Sequence, residues 1–191
     1  MQQAAADDGV PALARELFAE LGEQFADLEC RVRKADARLL AWHRENAASK
    51  RLAAIPGIGP VTALLLVMKT PDPHAFRSGR DFAAWLGLTP KDHSTAGRVR
   101  PGGITRAGDE MLRSLLVVGA TSVIRQTRLG KARYRSPWLD ALLARKCPKL
   151  AAIALANKAA RVAWKLLASG EAYDAMRTQR AAQAASAPAA A

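Results

Sequence analysis

Apolar residues return at alternating steps of three and four along the first quarter of the chain. Phe18, Phe25, Val32 and Leu39 share one heptad position, and Leu21, Leu28, Ala35 and Trp42 share the other. The pattern predicts one long coiled-coil-like helix over residues 11–50, carrying a seam for a partner helix. That partner is either the same helix of a second chain or another helix in cis. The length of the seam favours self-association, as a homodimer or higher oligomer.

Beyond the seam the periodicity shortens and turn residues punctuate it. Ile55-Pro56-Gly57-Ile58-Gly59-Pro60 breaks the first helix, and Val61 to Met68 begins another. Pro60 suits a first helical turn, and Gly57 and Gly59 permit positive φ and close backbone approach. This is the pattern of a helix-hairpin-helix, whose free N–H groups meet a phosphate without reading bases. An ordinary tight αα turn has the same spacing.

A short helix through Trp85 follows, capped by Ser78 or Gly79 and closed at Gly87. Residues 90–103 read as loop. Thr105 is then expected to cap a helix from Arg106 to about Ile124, with Leu112, Leu115, Leu116, Gly119 and Val123 facing the core. Gly119 and Ala120 suggest a close helix crossing. Two more helices are expected around residues 139–144 and 149–168. The second has Leu150, Ile153, Ala154, Asn157, Ala160, Arg161 and Trp164 on one stripe and ends at Gly170. No alternating strand pattern occurs. The expected fold class is all-α: a flexible leader over 1–10, the helix over 11–50, a compact helical domain over 51–175 and a disordered tail over 176–191.

Charge sharpens this picture. The net charge is +12, and it is unevenly spread. Residues 1–47 hold six basic against nine acidic residues, and residues 48–191 hold 23 against 8. A basic domain behind an acidic helix suits a polyanion held by counterion release, which points to nucleic acid. Cys30 and Cys147 are far apart, without metal-ligand neighbours, so neither a disulfide framework nor a zinc site is expected. No signal peptide and no apolar run long enough to span a bilayer is present. The expected setting is cytoplasmic, with no membrane partner.

The candidate chemistry lies between Gly87 and Leu116. A two-metal nuclease needs converging carboxylates, and the acidic residues of the basic part are scattered, so no metal site is expected. A serine can attack a DNA phosphate if it loses its proton and the charge on phosphorus is stabilised. Ser94 has His93 beside it and Arg98, Arg100, Arg106 and Arg113 after it, and arginine forks suit phosphate oxygens. The other reading is that Ser94 and Thr95 satisfy local backbone groups in a plain loop.

The order of motifs is distinctive. Behind the long helix stand "IPGIGPVTA", then "FRSGRDFAAWLGLTPKDHSTAGRVRPGGITRAGDEMLRSLLVVGA", then "ALANKAARVAWKLLASGEAY". Over residues 15–174 the chain closely resembles the C-terminal half of transposases of the insertion-sequence-110 class. The resemblance implies a two-part active site. An N-terminal RuvC-like domain supplies an Asp-Glu-Asp-Asp metal site, and the C-terminal domain supplies a serine that links covalently to DNA. A coiled coil joins the two, and a bridge RNA guides the complex. The serine motif resembles "HSTAG", which makes Ser94 the candidate nucleophile and Thr95 the fallback, although Ala96-Gly97 stands where the family more often has Gly-Gly.

The RuvC-like domain has no counterpart in this sequence. The chain is therefore expected to need no cofactor itself, with magnesium entering only with that domain, and to be inactive alone. Expected partners are DNA and a guide RNA. The rival readings are a nucleic-acid-binding module without chemistry, using Gly57, Gly59 and the basic loop, and a dimerising fragment that modulates a full-length transposase.

Overall fold

The structure is a computed structural model and describes residues 9, 11–92, 101–132 and 136–175. The chain divides into two units, Met1–Trp42 and His43–Ala191. The first helix, α1 (Ala12–Glu45), buries no residue. Arg31–Asp27 and Arg33–Glu29 ion pairs at four-residue spacing lie along its surface, and each adds only a few tenths of a kcal/mol, ~0.3. The expected single helix over 11–50 is interrupted. Asn46 adopts extended backbone and its side chain accepts the Ser49 N–H at 2.8 Å, which caps a new helix, α2 (Ala47–Ala53).

In the second unit, α3 (Pro60–Lys69) begins with Pro60 in its first turn. A 3-10 turn over Pro73–Ala75 leads to α4 (Gly79–Trp85), where Ser78 Oγ accepts the Asp81 N–H. Two short strands, β1 (Pro90–Asp92) and β2 (Pro101–Ile104), pair antiparallel. Then come α5 (Glu110–Arg128), α6 (Pro137–Arg145) and α7 (Pro148–Ser169), the last closed by Gly170 at φ +69°. The fold is all-α, with the β1–β2 ribbon its only sheet among the described residues. The ribbon went unforeseen because three- and four-residue strands rich in Pro and Gly carry no readable alternation.

The core gathers around α7, which packs against α2, α4, α5, α6 and the 3-10 turn. Its buried face is Ala151, Ala152, Ala156, Ala159, Ala160, Ala163 and Leu166. Small side chains let several helices approach one axis closely. This corrects part of the expected stripe: Leu150 and Arg161 are exposed, while Ala160 is buried and Ala154 and Trp164 pack against the core. Leu52, Leu66, Phe82, Leu86, Leu112 and Leu116 supply the bulk around it. Phe82 meets Phe76 edge-on at 5.2 Å between ring centroids, and burying such a side chain contributes about 2–3 kcal/mol.

Candidate functional site

The residues expected to carry the chemistry, His93, Ser94 and Thr95, lie outside the described residues, as do Arg98 and Arg100. What the structure does describe is the frame on either side of them. Asp92 and Pro101 are register partners, as are Pro90 and Ile104, with an irregularity between the two pairs. The described residues that flank positions 93–100 are therefore neighbours across the ribbon.

Several backbone contacts fasten this ribbon to the helical core. The Thr105 N–H donates to the Thr89 carbonyl at 2.9 Å, and the Arg106 N–H donates to the Gly87 carbonyl at 3.2 Å. From α7, Asn157 Nδ2 donates to the Leu88 carbonyl at 3.2 Å. Leu86 and Leu88 are themselves buried. Gly108, at φ +98°, approaches the Trp85 carbonyl so closely that a Cβ there would overlap it. Asn157 had stood out in the sequence as a polar residue on an apolar stripe; its bond to the ribbon root is a long-range contact that spacing alone does not reveal.

The helix after the ribbon starts later than expected. Asp109, not Thr105, is the cap of α5, its carboxylate accepting the Leu112 N–H at 2.8 Å. Thr105 instead ends the ribbon, and its hydroxyl is buried without a partner among the described residues. Lys69, the last residue of α3, reaches the other Asp109 oxygen at 2.6 Å. The Lys69 ammonium, and then the Leu112 N–H, hold the Asp109 carboxyl below the ordinary carboxylate range.

The two arginines that follow the segment and are described differ sharply. Arg106 is exposed and sits at φ +56°, the one non-glycine residue at positive φ among those described. Arg113, expected to face nucleic acid, is turned inward: it is 9% exposed, and Nη1 donates to the carbonyls of Leu86 and Gly108 at 3.3 and 3.4 Å. It sits on the core-facing side of α5, one position after Leu112, so it clamps the α4 exit to the α5 entry.

The two hairpin glycines also part. Gly59 is the N-cap of α3, with no side-chain cap and open space where a Cβ would stand, and its carbonyl accepts the Ala63 N–H at 2.9 Å. Gly57, at φ +88°, is pressed against the backbone of Gly119 in α5. Its small size serves packing between the hairpin and α5. Of the remaining histidines, His43 Nδ1 lies 2.7 Å from the buried Ser49 Oγ, and the His74 N–H donates to Asp72.

Among the described residues no group of three or more His, Cys, Asp or Glu could hold a metal ion, and no helix is long and apolar enough to cross a membrane.

The transposase IS116/IS110/IS902 family matches residues 49–135. A candidate transposase of Sinorhizobium fredii, y4pF/y4sB, is 61% identical over 173 residues, covering 91% of this chain and 45% of that protein. A probable family 20 transposase of Pseudomonas aeruginosa is 43% identical over 164 residues, 86% of this chain and 48% of that protein. The transposase for insertion sequence element IS1111A of Coxiella burnetii is 37% identical over 138 residues, 72% of this chain and 38% of that protein. The chain thus spans about half the length, or less, of these curated relatives.

Proposed function

The chain belongs to the IS116/IS110/IS902 transposase family, and from that premise we propose that it serves DNA transposition as a serine-bearing, nucleic-acid-binding domain. Ser94 is the nucleophile. Its Oγ bonds to a DNA phosphorus while the P–O bond to the departing strand breaks. The hydroxyl proton passes to a base, for which His93 is the candidate, and the departing oxygen takes up a proton. Arg98, Arg100 and Arg106 hold the phosphate and stabilise the charge that develops there. The open N-terminus of α3 at Gly59 adds backbone contacts to phosphate, as a helix-hairpin-helix does.

The observation that carries this reading is the anchoring of the serine segment at both ends. Asp92 and Pro101 pair across the ribbon, and Thr89, Leu88 and Gly87 behind them are hydrogen-bonded to the ribbon's return and to α7. A nucleophile has to be held to within fractions of an ångström, and the described residues on either side of the serine segment are fixed to the fold.

Family resemblance brings in a RuvC-like domain with magnesium. The described residues of this chain do not fit such a site, since no carboxylate cluster gathers on them. The chain's own part is therefore the serine, the arginines and the frame, with guide RNA and the metal-bearing domain as partners. Supplying a RuvC-like domain and guide RNA in trans should yield a covalent protein–DNA adduct that Ser94→Ala abolishes. An adduct that survives Ser94→Ala but is lost in Thr95→Ala moves the role to Thr95, and one that survives both removes the chemistry from this segment.

A second reading has an observation of its own. The apolar seam of α1 is exposed in the single chain, which favours a module that dimerises with, and modulates, a full-length transposase. Mixed oligomers with a full-length relative, formed without any adduct, would single it out.

A further inference from the structure

The helix α7 floors an open groove of about 620 Å3. Its walls are the start of α4 at Gly79, Trp138 of α6, and residues 171–174 after the last helix. The volume falls in the range of ligand clefts, about 300–1,000 Å3.

The floor has a definite chemistry. Lys158, Arg161 and Lys165 follow one another at steps of three and four, so they line one face of α7. Aromatic rings from Trp138 and Trp164 lie in the same groove. The Lys158 ammonium stands 4.3 Å from the centroid of the Trp138 ring. The Trp164 indole N–H is fixed to the Pro73 carbonyl at 2.9 Å, which locks that ring in place. At the far end Glu171 and Asp174 line the rim, and Lys165 faces Glu171 at 3.9 Å. The other two cations differ: among the described residues no carboxylate comes within ion-pair distance of Lys158 or Arg161. Burial, and then the nearby Arg161 charge, push the Lys158 ammonium below its ordinary value. Two adjacent cations, one partly desolvated, are a strained arrangement that an anion relieves.

We propose that this groove holds an unpaired segment of nucleic acid, with phosphates on Lys158 and Arg161 and bases against the rings of Trp138 and Trp164. The proposal rests on the nucleic-acid reading above for the class of partner, and adds where and in what form that partner binds. Cations beside fixed aromatic faces are the means by which single strands are held without regard to sequence. A duplex keeps its base faces stacked inside and offers the rings nothing. The position also has a consequence. Asn157 both lines the groove and holds the Leu88 carbonyl at the root of the ribbon. A strand lying in the groove thus touches the side chain that fastens the frame of the Ser94 segment.

The test measures binding of the full chain to labelled oligo(dT), oligo(U) and a duplex of equal length. The double variant Lys158→Glu/Arg161→Glu should weaken the single strands about tenfold or more and lower their salt slope by about 1.4, two phosphates' worth. Trp138→Ala should weaken them by a similar factor, with the duplex little changed in either case. Arg161→Glu alone, at an exposed position, gives the same direction if the double variant does not fold. Loss on either single-stranded probe supports the groove, and the probe that responds more identifies DNA or RNA as its occupant. Unchanged single-strand affinity in the folded variants overturns it, as does an equal loss on the duplex. Duplex binding by the unmodified chain with no single-strand binding overturns the groove alone. An unmodified chain that binds none of the three overturns the nucleic-acid reading as well.

Discussion

Gly57 and Gly119 meet backbone to backbone where the α2–α3 hairpin lies across α5. A Cβ on Gly57 would stand 3.0 Å from the Gly119 carbonyl oxygen, and one on Gly119 would overlap the Gly57 carbonyl. The crossing is therefore open to glycine alone from either side. Gly119→Ala must push the hairpin off α5, and overpacking of this kind costs about 1–3 kcal/mol. Gly57→Ala adds the strain of a side chain at φ +88° to a tight contact, so it should cost at least about 1 kcal/mol. Chemical denaturation of each variant measures this. A Gly119→Ala protein as stable as the parent would mean the crossing is looser than described.

Much of this was legible in the sequence, and the misses share a cause. Heptad spacing marks α1, Pro60 the start of α3, the Ser78 cap the start of α4, and Gly170 the end of α7. Gly119 stood out as a small residue on a helix face. What its partner would be did not, because a contact between residues 57 and 119 leaves no local trace. The same holds for Arg113 and Asn157: both are polar residues whose partners are backbone carbonyls brought near only by folding. The α7 stripe holds at Ala154, Ala160 and Trp164 and fails at Leu150 and Arg161, because that helix is apolar on more than one side and packing, not periodicity, sets the edge of the buried face. Local capping misled at Thr105, since Asp109 four residues on is as good a cap and has Lys69 to hold it.

Arg113 gives a prediction that separates structure from binding. Replacing it with Ala leaves the Leu86 and Gly108 carbonyls without their guanidinium donor, at a cost of about 1–3 kcal/mol. Nucleic-acid affinity of the protein that remains folded should change little. Arg106→Glu should do the opposite, with unchanged denaturation midpoint and weaker, less salt-sensitive binding. Comparing melting curves with binding isotherms for the two variants checks both halves. Weakened binding at full stability in Arg113→Ala would return that residue to the nucleic-acid surface.

Asp109 ties stability to acid. Its folded carboxyl is held below the ordinary value by Lys69 and the Leu112 N–H, so below that value the unfolded chain takes up the proton first. The stabilisation is thus fully present above the unfolded value of about 3.9 and is lost as pH falls through the folded value. Asp109→Asn keeps a capping oxygen and removes the charge; Asp109→Ala removes both, at about 1 kcal/mol for the cap and up to about 1 for a partly exposed ion pair. Denaturation at neutral pH should rank the parent, then Asn, then Ala. The gap between parent and Asn should close on acidification. A gap that stays constant with pH would show that the Lys69 contact contributes nothing.

The seam of α1 makes the last prediction. Phe25, Leu28 and Val32 are 54%, 57% and 58% exposed in the single chain. They sit among two rows of apolar residues at heptad spacing, on a helix that buries no residue of its own. Isolated apolar side chains on a surface need no explanation, but a continuous row on a helix does. The row fits knobs-into-holes packing against a second copy. Sedimentation of the unmodified protein should therefore show a dimer or larger species. Phe25→Asp/Leu28→Asp sets charge into the seam, where burial without a partner is costly, and should release monomers without altering the thermal transition of the helical domain. A monomer in the unmodified protein would rule out self-association through α1, and the seam would then need a partner in cis.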